Sequence, residues 1–284
     1  MEYTKFKPFS IVTRGRLVEY SRPVVMGILN ITPDSFYDGG RHADMPSMLR
    51  HASWLADEGA DIIDLGAVSS RPGAELLPPE EEAARLREAV SLLRAEMPQA
   101  VISVDTCFAQ PARAAVEAGA DIVNDIGGGQ FDEAMFATVC ELQVPYIMMH
   151  TRGLPSQMQR LVDYDDIVDD LVRYFSNRAD QLYRMGMKDL WLDPGFGFAK
   201  TTSQNHELLR RLDELCQVFD EPLLVGLSRK SMIYKPLGLT PDQALEGTVA
   251  LDALALERGA RILRVHDPRP ARQTIDLMFN DHTC

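Results

Sequence analysis

Three stretches of the chain share one pattern: Glu58-Gly59-Ala60-Asp61-Ile62-Ile63-Asp64, then Ala-Gly-Ala-Asp-Ile-Val-Asn at 118–124, then Arg-Gly-Ala-Arg-Ile-Leu-Arg at 258–264. A looser copy lies at 185–191. Glycine suits the left-handed residue that ends a helix, and the β-branched run that follows it suits a buried parallel strand. Each stretch therefore predicts a helix that passes directly into a strand.

Apolar runs of strand length recur eight times along the chain. We predict strands at 24–31, 62–66, 101–105, 122–126, 146–150, 190–193, 223–227 and 262–266. Helices are predicted at 45–58, 79–96, 109–118, 132–142, 165–185, 204–219, 241–258 and 269–279. Eight strands, each followed by a helix, indicate an α/β protein with a (β/α)8 TIM barrel, because a doubly wound sheet usually has fewer strands.

The first residues do not fit this alternation. Residues 9–12 and 17–20 flank a short polar turn at Arg14-Gly15-Arg16, which is typical of a β-hairpin. We expect one domain over 1–284, with the N-terminal hairpin in 1–23 covering one end of a barrel at 24–284. The segments after the first two barrel strands are rich in Gly, Pro, Ser and Asp, and we expect them to be mobile loops.

Composition excludes several classes of function. The 284 residues include 29 Lys and Arg against 42 Asp and Glu, a formal net charge of −13. Nucleic acids and anionic membranes bind basic surfaces, so neither is expected as a partner. No apolar run approaches the roughly 20 residues of a membrane span and no secretory signal is evident, so we expect a cytoplasmic protein. The four cysteines are far apart, which indicates neither a disulfide framework nor a zinc site.

Polar residues close the predicted strands, at the barrel end where such enzymes carry their chemistry. They are Asn30, Asp64, Asp105, Asn124, Asp125, His150, Asp193, Ser228, Arg229, Lys230, Arg264 and His266. Among them, Asp105, Asn124 and Asp193 offer carboxylate and amide groups that suit a flat heterocycle with N–H donors and a carbonyl. The cations of this region suit an anion; they are Arg71, Lys200, Arg229, Lys230, Arg264 and His266. The predicted substrate therefore has a polar heterocyclic end and an anionic end, whereas His150 is expected to be a hydrogen-bonded core residue.

Several separate motifs, in order, resemble those of the dihydropteroate synthase family. They are Met26-Gly27-Ile28-Leu29-Asn30-Ile31-Thr32-Pro33-Asp34-Ser35-Phe36 and the segments 69–73, 103–106, 124–126, 148–150, 192–201, 228–231 and 264–267. Members of this family are transferases that join 6-hydroxymethyl-7,8-dihydropterin pyrophosphate to 4-aminobenzoate, giving 7,8-dihydropteroate for folate synthesis and pyrophosphate. The resemblance implies the same reaction here, with Mg²⁺ on the phosphate oxygens, a homodimer and competition by sulfonamides.

The resemblance also implies roles for individual residues. The pterin pocket would contain Asp105, Asn124, Met148, Asp193 and Lys230. The pyrophosphate site would contain Asn30, Ser70, Arg264 and His266, with the metal beside Asn30. The aminobenzoate site would contain Arg71, Pro72, Phe198 and Ser231. The residues expected to lower the barrier are Asp34, Asp105, Lys230, Arg264 and His266, because negative groups facing the pterin ring stabilise a developing cation while positive groups hold the leaving pyrophosphate.

One motif departs from the family. Where members read Gly-Gly-Glu-Ser-Thr-Arg-Pro-Gly, this chain reads Gly66-Ala67-Val68-Ser69-Ser70-Arg71-Pro72-Gly73. Ser70 keeps the hydroxyl, but Val68 removes a carboxylate near the predicted mobile loop. Two alternatives therefore stay open: a methyltetrahydrofolate-binding methyltransferase domain, which would need no pyrophosphate site, and a non-catalytic paralogue that binds pterin or a partner protein.

Overall fold

The computed structural model describes residues 6–31, 45–67, 77–154 and 157–279. The strands in these ranges are β1 (Phe9–Thr13), β2 (Arg16–Tyr20), β3 (Val24–Asn30), β4 (Ile62–Gly66), β5 (Val101–Asp105), β6 (Ile122–Asp125), β7 (Tyr146–Met149), β8 (Leu190–Asp193), β9 (Leu224–Val225) and β10 (Ile262–Val265). The helices are α1 (Met45–Asp57), α2 (Pro79–Glu96), α3 (Ala109–Glu117), α4 (Met135–Leu142), α5 (Ile167–Arg184), α6 (Thr202–Arg210), α7 (Leu212–Val218), α8 (Ser231–Leu237), α9 (Leu245–Glu257) and α10 (Pro268–Phe279). Single 3₁₀ turns lie at Met158–Arg160 and Pro241–Gln243.

Eight strands form one parallel sheet that curls into a barrel. Their order is β8, β7, β6, β5, β4, β3, β10, β9, with every neighbouring pair parallel. A parallel bridge between Leu192 and Leu223 joins the two ends, and the Leu192 amide donates to the Pro222 carbonyl at 3.0 Å. The predicted (β/α)8 barrel with an N-terminal hairpin is confirmed.

Side chains of the barrel strands alternate between two apolar environments. One set packs between the strands and the surrounding helices. The other fills the barrel interior near the N-terminal ends of the strands, with Met26, Ile62 and Trp191 among its members. The β1–β2 hairpin covers this end, because its Ile11 is buried in the same cluster and its Phe9 ring meets Trp191 edge-on at 5.5 Å. Burying each such side chain stabilises the fold by roughly 1.5–3 kcal/mol.

The repeated stretches are helix-to-strand joints, as predicted. Gly59, Gly119 and Gly259 have φ of +98°, +114° and +98°, the left-handed conformation that ends a helix. The Asp two residues later has a structural role in the first two copies. Asp61 accepts the Val25 amide at 2.8 Å and Asp121 accepts the Ile102 amide at 2.9 Å, so each carboxylate links its own joint to the start of the preceding barrel strand.

Several element bounds differ from the prediction. The single helix predicted at 204–219 is two helices, α6 and α7, which meet at Arg211; its side chain pairs with Asp166, Glu207 and Glu214. Helix α8 was not predicted, because it has seven residues and contains Pro236. The strand predicted at 223–227 is reduced to the two residues of β9. Among the described helices, none is both long enough and apolar enough to span a membrane.

Candidate active site

Arg264 joins two carboxylates inside the barrel, near the C-terminal ends of the strands. Its Nε donates to Asp64 Oδ2 at 2.7 Å and its Nη2 donates to Asp105 Oδ2 at 2.8 Å. The Asn124 side-chain amide donates to the same Asp64 oxygen at 3.1 Å. These residues come from β10, β4, β5 and β6, and they occupy the inward positions because the neighbours of each pack outward against helices. The four side chains therefore form one polar network that lines the barrel.

Burial controls the protonation of this network. It raises the pKa of Asp105 to about 7, since the charged form loses hydration; the Arg264 cation opposes the shift. Burial alone would lower the pKa of Arg264, but Asp64 and Asp105 outweigh it and the pKa is raised. The guanidinium thus stays charged, and Asp105 can change its protonation near neutral pH.

Three buried oxygens of this region have no hydrogen-bond partner among the described residues: Asp64 Oδ1, Ser103 Oγ and Asn124 Oδ1. Asp64 is aligned with Ser103, and Asp105 is aligned with Asn124 on the neighbouring strand. Buried polar atoms ordinarily have a partner. The donor and acceptor pattern therefore suits a polar heterocycle that brings both N–H and carbonyl groups.

A second set of charged residues, Lys230 and Asp193, lies near this network. Lys230 donates to the Phe196 carbonyl, and its Nζ lies 4.9 Å from the centre of the Phe198 ring. Burial lowers the pKa of Lys230 to about 8, with Asp193 opposing the shift and Arg264 adding to it. Asp193 accepts the Gly195 amide at 2.7 Å, and burial raises its pKa while Lys230 opposes. Lys230 therefore lies within electrostatic reach of Asp193, Asp105 and Arg264.

The end of β10 contributes a histidine. His266 Nδ1 lies 3.0 Å from Ser228 Oγ, which also accepts the His266 amide at 3.2 Å. Ser228 thereby fixes the orientation of the imidazole beside the Arg264 strand. Arg229 is held differently, by a two-pronged contact with Asp267 at 2.8 and 3.0 Å, with φ of +56°. Ser231 follows Lys230 as the first residue of α8 and is half-buried.

Three predictions at the strand ends need correction. Lys200 is not an anion-binding cation at the mouth, because it is buried and its ammonium contacts His150, Gly195 and Phe198. Met148 is not a pocket wall, because it packs between strands and helices; Met149, one residue on, is in the inner cluster with Phe198.

The third correction concerns Asp125, which does not line the shared pocket as predicted. It accepts two backbone amides at 2.7 Å and the Tyr146 hydroxyl at 2.6 Å, so it organises the turn after β6. The expectation that His150 is a hydrogen-bonded core residue is confirmed.

The remaining predicted residues divide into two groups. Asn30 ends β3, is half-buried and is aligned with Gly66 of β4. Asp34, Ser70, Arg71 and Pro72, together with the departing Val68, lie outside the described residues. The sequence placed Asp64 among the polar strand-end residues but gave it no specific role. Its alignment with Ser103 follows from the period of two in β4 and β5.

A barrel with carboxylates and cations facing one another at the C-terminal ends of its strands defines an enzyme site for a polar heterocycle with an anionic group. Residues 26–266 match the family of pterin binding enzymes. The dihydropteroate synthase of Synechocystis sp. is 45% identical over 249 residues, which cover 87% of this chain and 86% of that protein. The chain belongs to the dihydropteroate synthase family, whose members are transferases.

Solved structures agree with the sequence match. The Yersinia pestis dihydropteroate synthase, crystallised as a sulfonamide drug complex, has a TM-score of 0.87 and 38% identity, covering 95% of this chain and 97% of that one. The Xanthomonas albilineans enzyme in complex with 7,8-dihydropteroate has a TM-score of 0.83 and 37% identity, covering 94% and 97%.

Proposed function

We propose that this chain joins 6-hydroxymethyl-7,8-dihydropterin pyrophosphate to 4-aminobenzoate, forming 7,8-dihydropteroate and pyrophosphate in folate biosynthesis. The observation that carries this proposal is that two buried carboxylates and two half-buried cations lie together at one end of the barrel. Asp105 faces Arg264, and Asp193 lies within electrostatic reach of Lys230. A pterin needs acceptors for its N–H groups, while a departing pyrophosphate needs cations, and this arrangement supplies both.

The pterin is assigned to Asp105, Asn124, Asp193 and Lys230. Carboxylate oxygens accept the paired N–H groups of its pyrimidine ring, and the Asn124 amide both donates and accepts. Met149 takes the apolar role first assigned to Met148, because its side chain is on the inner face. To bind Asp105, the pterin must compete with the Arg264 guanidinium that already contacts that carboxylate.

The pyrophosphate is assigned to Arg264, His266, Asn30 and Ser70. Displacing Arg264 from Asp105 frees a guanidinium nitrogen for the leaving group. Mg²⁺, when bound, neutralises charge on the phosphate oxygens. Asn30 fits as its protein ligand, because Mg²⁺ commonly takes one or two protein oxygens and completes its shell with phosphate oxygens and water.

The aminobenzoate is assigned to Phe198, Ser231, Arg71 and Pro72. Its ring packs on Phe198, and its carboxylate meets Ser231. The arylamine attacks the methylene carbon of the pterin as the carbon–oxygen bond to pyrophosphate breaks, and the amine proton passes to solvent. A neutral arylamine needs no strong base; Asp105 and Asp34 instead stabilise positive charge on the pterin ring.

We also propose a homodimer in the cytoplasm with no nucleic-acid or membrane partner. The net charge of −13 supports the exclusion of polyanions, since an acidic surface repels them. Analytical ultracentrifugation tests the dimer, which a sedimenting species of monomer mass across the micromolar range would contradict.

Pyrophosphate release tests the assignment against its alternatives. With Mg²⁺ present, release should require both the pterin pyrophosphate and 4-aminobenzoate, and a sulfonamide should compete with 4-aminobenzoate alone. A methyltetrahydrofolate-binding domain would release no pyrophosphate. A non-catalytic paralogue would bind the pterin without turnover, and either result would reject the proposed reaction.

A further inference from the structure

The segment from Gly195 to Lys200 follows β8 and carries Phe198. Three of its residues have left-handed backbone: Gly195 at φ +70°, Gly197 at +84° and Ala199 at +48°. A side chain at Gly195 would place its Cβ 2.0 Å from the His150 carbonyl oxygen, so the segment is pressed against the end of β7. Glycine adopts this conformation at little cost, but at Ala199 it costs free energy and persists only where surrounding contacts impose it.

Lys200 supplies three of those contacts from inside the turn. Its side chain is 3% exposed, and its Nζ lies 2.9 Å from His150 Nδ1, 3.0 Å from the Gly195 carbonyl oxygen and 3.1 Å from the Phe198 carbonyl oxygen. When protonated, Lys200 has three N–H donors and no acceptor, so each donor has a partner, although burial lowers its pKa to about 7. Two of the acceptors, the Gly195 and Phe198 carbonyl oxygens, belong to the segment itself, so the segment folds around the side chain of its last residue, Lys200.

Three more carbonyls of the segment accept hydrogen bonds, those of Phe196, Ala199 and Lys200. Ala199 accepts the Tyr164 hydroxyl at 2.9 Å, and Phe196 accepts Lys230. Asn205 accepts the Gly197 amide at 2.7 Å and donates to the Lys200 carbonyl at 3.3 Å. The hydrogen bond from Lys230 to the Phe196 carbonyl connects the segment to the proposed pterin pocket. The Phe198 ring, which lies beneath Lys230, connects it to the proposed aminobenzoate site.

We propose that Lys200 is a positioning residue for the aminobenzoate site: by binding the Gly195 and Phe198 carbonyls and His150 together, it fixes where the Phe198 ring lies beneath Lys230. This inference rests on the proposed function. Without the ammonium, the Phe198 carbonyl oxygen and His150 Nδ1 lose a buried donor, and the Gly195 carbonyl oxygen keeps only the Phe198 amide at 3.1 Å. The left-handed backbone of Ala199 loses contacts that hold it. The Phe198 ring then moves, while Asp105, Asn124 and Arg264 keep their own hydrogen bonds.

The decisive variant is Lys200→Met, which keeps the length of the side chain and removes its donors. The exposed Lys188→Met is the matched control. We expect the KM for 4-aminobenzoate to rise about tenfold or more, with the KM for the pterin pyrophosphate changed less than about threefold. Equal rises in both KM values, or a lowered melting temperature with both KM values unchanged, would show a merely structural role and overturn the proposal.

A second measurement does not depend on turnover. Hydrogen exchange of the peptide amides at 195–199 should become about tenfold faster in Lys200→Met and stay unchanged in Lys188→Met. Unchanged exchange in Lys200→Met would overturn the inference, whether or not the protein is active. If the wild-type protein is inactive but exchange is faster in the variant, only the proposed reaction is rejected.

If Lys200→Met does not fold, Tyr164→Phe provides a second variant, because it removes the single hydrogen bond to Ala199. It should raise the KM for 4-aminobenzoate by less than Lys200→Met would. An unchanged KM would overturn the proposal.

Discussion

The Arg264 guanidinium donates to the Asp105 carboxylate at 2.8 Å across the inside of the barrel. The two residues are on β10 and β5, which are not neighbours in the sheet. Asp64 binds the same guanidinium from β4, so one cation lies between two buried carboxylates. The group assigned to the leaving pyrophosphate is therefore held, before substrate binds, by a group assigned to the pterin.

Removing Arg264 should strongly destabilise the protein. In Arg264→Met, Asp64 and Asp105 lose their shared cation while they remain buried, and breaking a buried pair in this way costs about 3–5 kcal/mol. Urea unfolding measures the change in the free energy of unfolding. The control is Arg210→Met at an exposed position of α6, which should change it by less than about 0.5 kcal/mol. Equal effects of the two substitutions would contradict the network described here.

The proposed division between the two substrates predicts separate kinetic effects. Asp193→Asn and Lys230→Met should raise the KM for the pterin pyrophosphate by about tenfold to a hundredfold, because each removes a charged partner of the heterocycle. Ser231→Ala should act mainly on the KM for 4-aminobenzoate. Initial-rate kinetics with both substrates varied measures the split, and parallel changes in the two KM values would refute the division.

The pH dependence of kcat/KM should be bell-shaped. Asp105 is an anion only above its pKa of about 7, so activity should rise with pH towards that value. Lys230 is a cation only below its pKa of about 8, so activity should fall above it. Lys230→Arg keeps the charge at high pH and should move the alkaline limb upward. An alkaline limb unchanged in Lys230→Arg would assign that limb to another group.

A buried carboxyl on α9 should make the fold less stable as pH rises. Burial raises the pKa of Asp252 to about 8, and its Oδ1 has no partner among the described residues. The unfolded chain releases this proton near pH 4 and the folded chain near pH 8, so the stabilisation present below pH 4 is lost between these values, by at most about 1.4 kcal/mol per pH unit.

Asp252→Asn should therefore raise the melting temperature at pH 7 and flatten its decline from pH 5 to 8. Glu246→Gln, at an exposed position of the same helix, is the control and should leave the pH profile unchanged. A melting temperature that falls in Asp252→Asn, with the wild-type slope retained, would show that the carboxyl does not titrate as described.

The barrel is predictable from the sequence because its signals are local. The left-handed glycines at positions 59, 119 and 259 mark where helices end, and the β-branched runs after them mark the strands. Short elements are not predictable in this way. Leu224 and Val225 form a strand only because β10 pairs with them, and the break at Arg211 follows from ion pairs with residues brought close by folding.

The site is only partly predictable, for a different reason. Motifs give residue types, but whether a side chain points into the barrel depends on the alternation along its strand. Met148 packs outward against the helices, whereas Met149, one residue later, lies on the inner face. Lys200 and Lys230 look alike as cations in the sequence. The fold turns Lys200 into its own loop and Lys230 towards Asp193, which no local pattern distinguishes.

The most direct test of the account is the product itself. The purified chain, given Mg²⁺, 6-hydroxymethyl-7,8-dihydropterin pyrophosphate and 4-aminobenzoate, should form 7,8-dihydropteroate, identified by mass spectrometry with one pyrophosphate released per product. Asp193→Asn should reduce its formation strongly at low concentrations of the pterin. A wild-type chain that binds the pterin pyrophosphate but forms no 7,8-dihydropteroate, where another member of the family does so under the same conditions, would contradict the assignment.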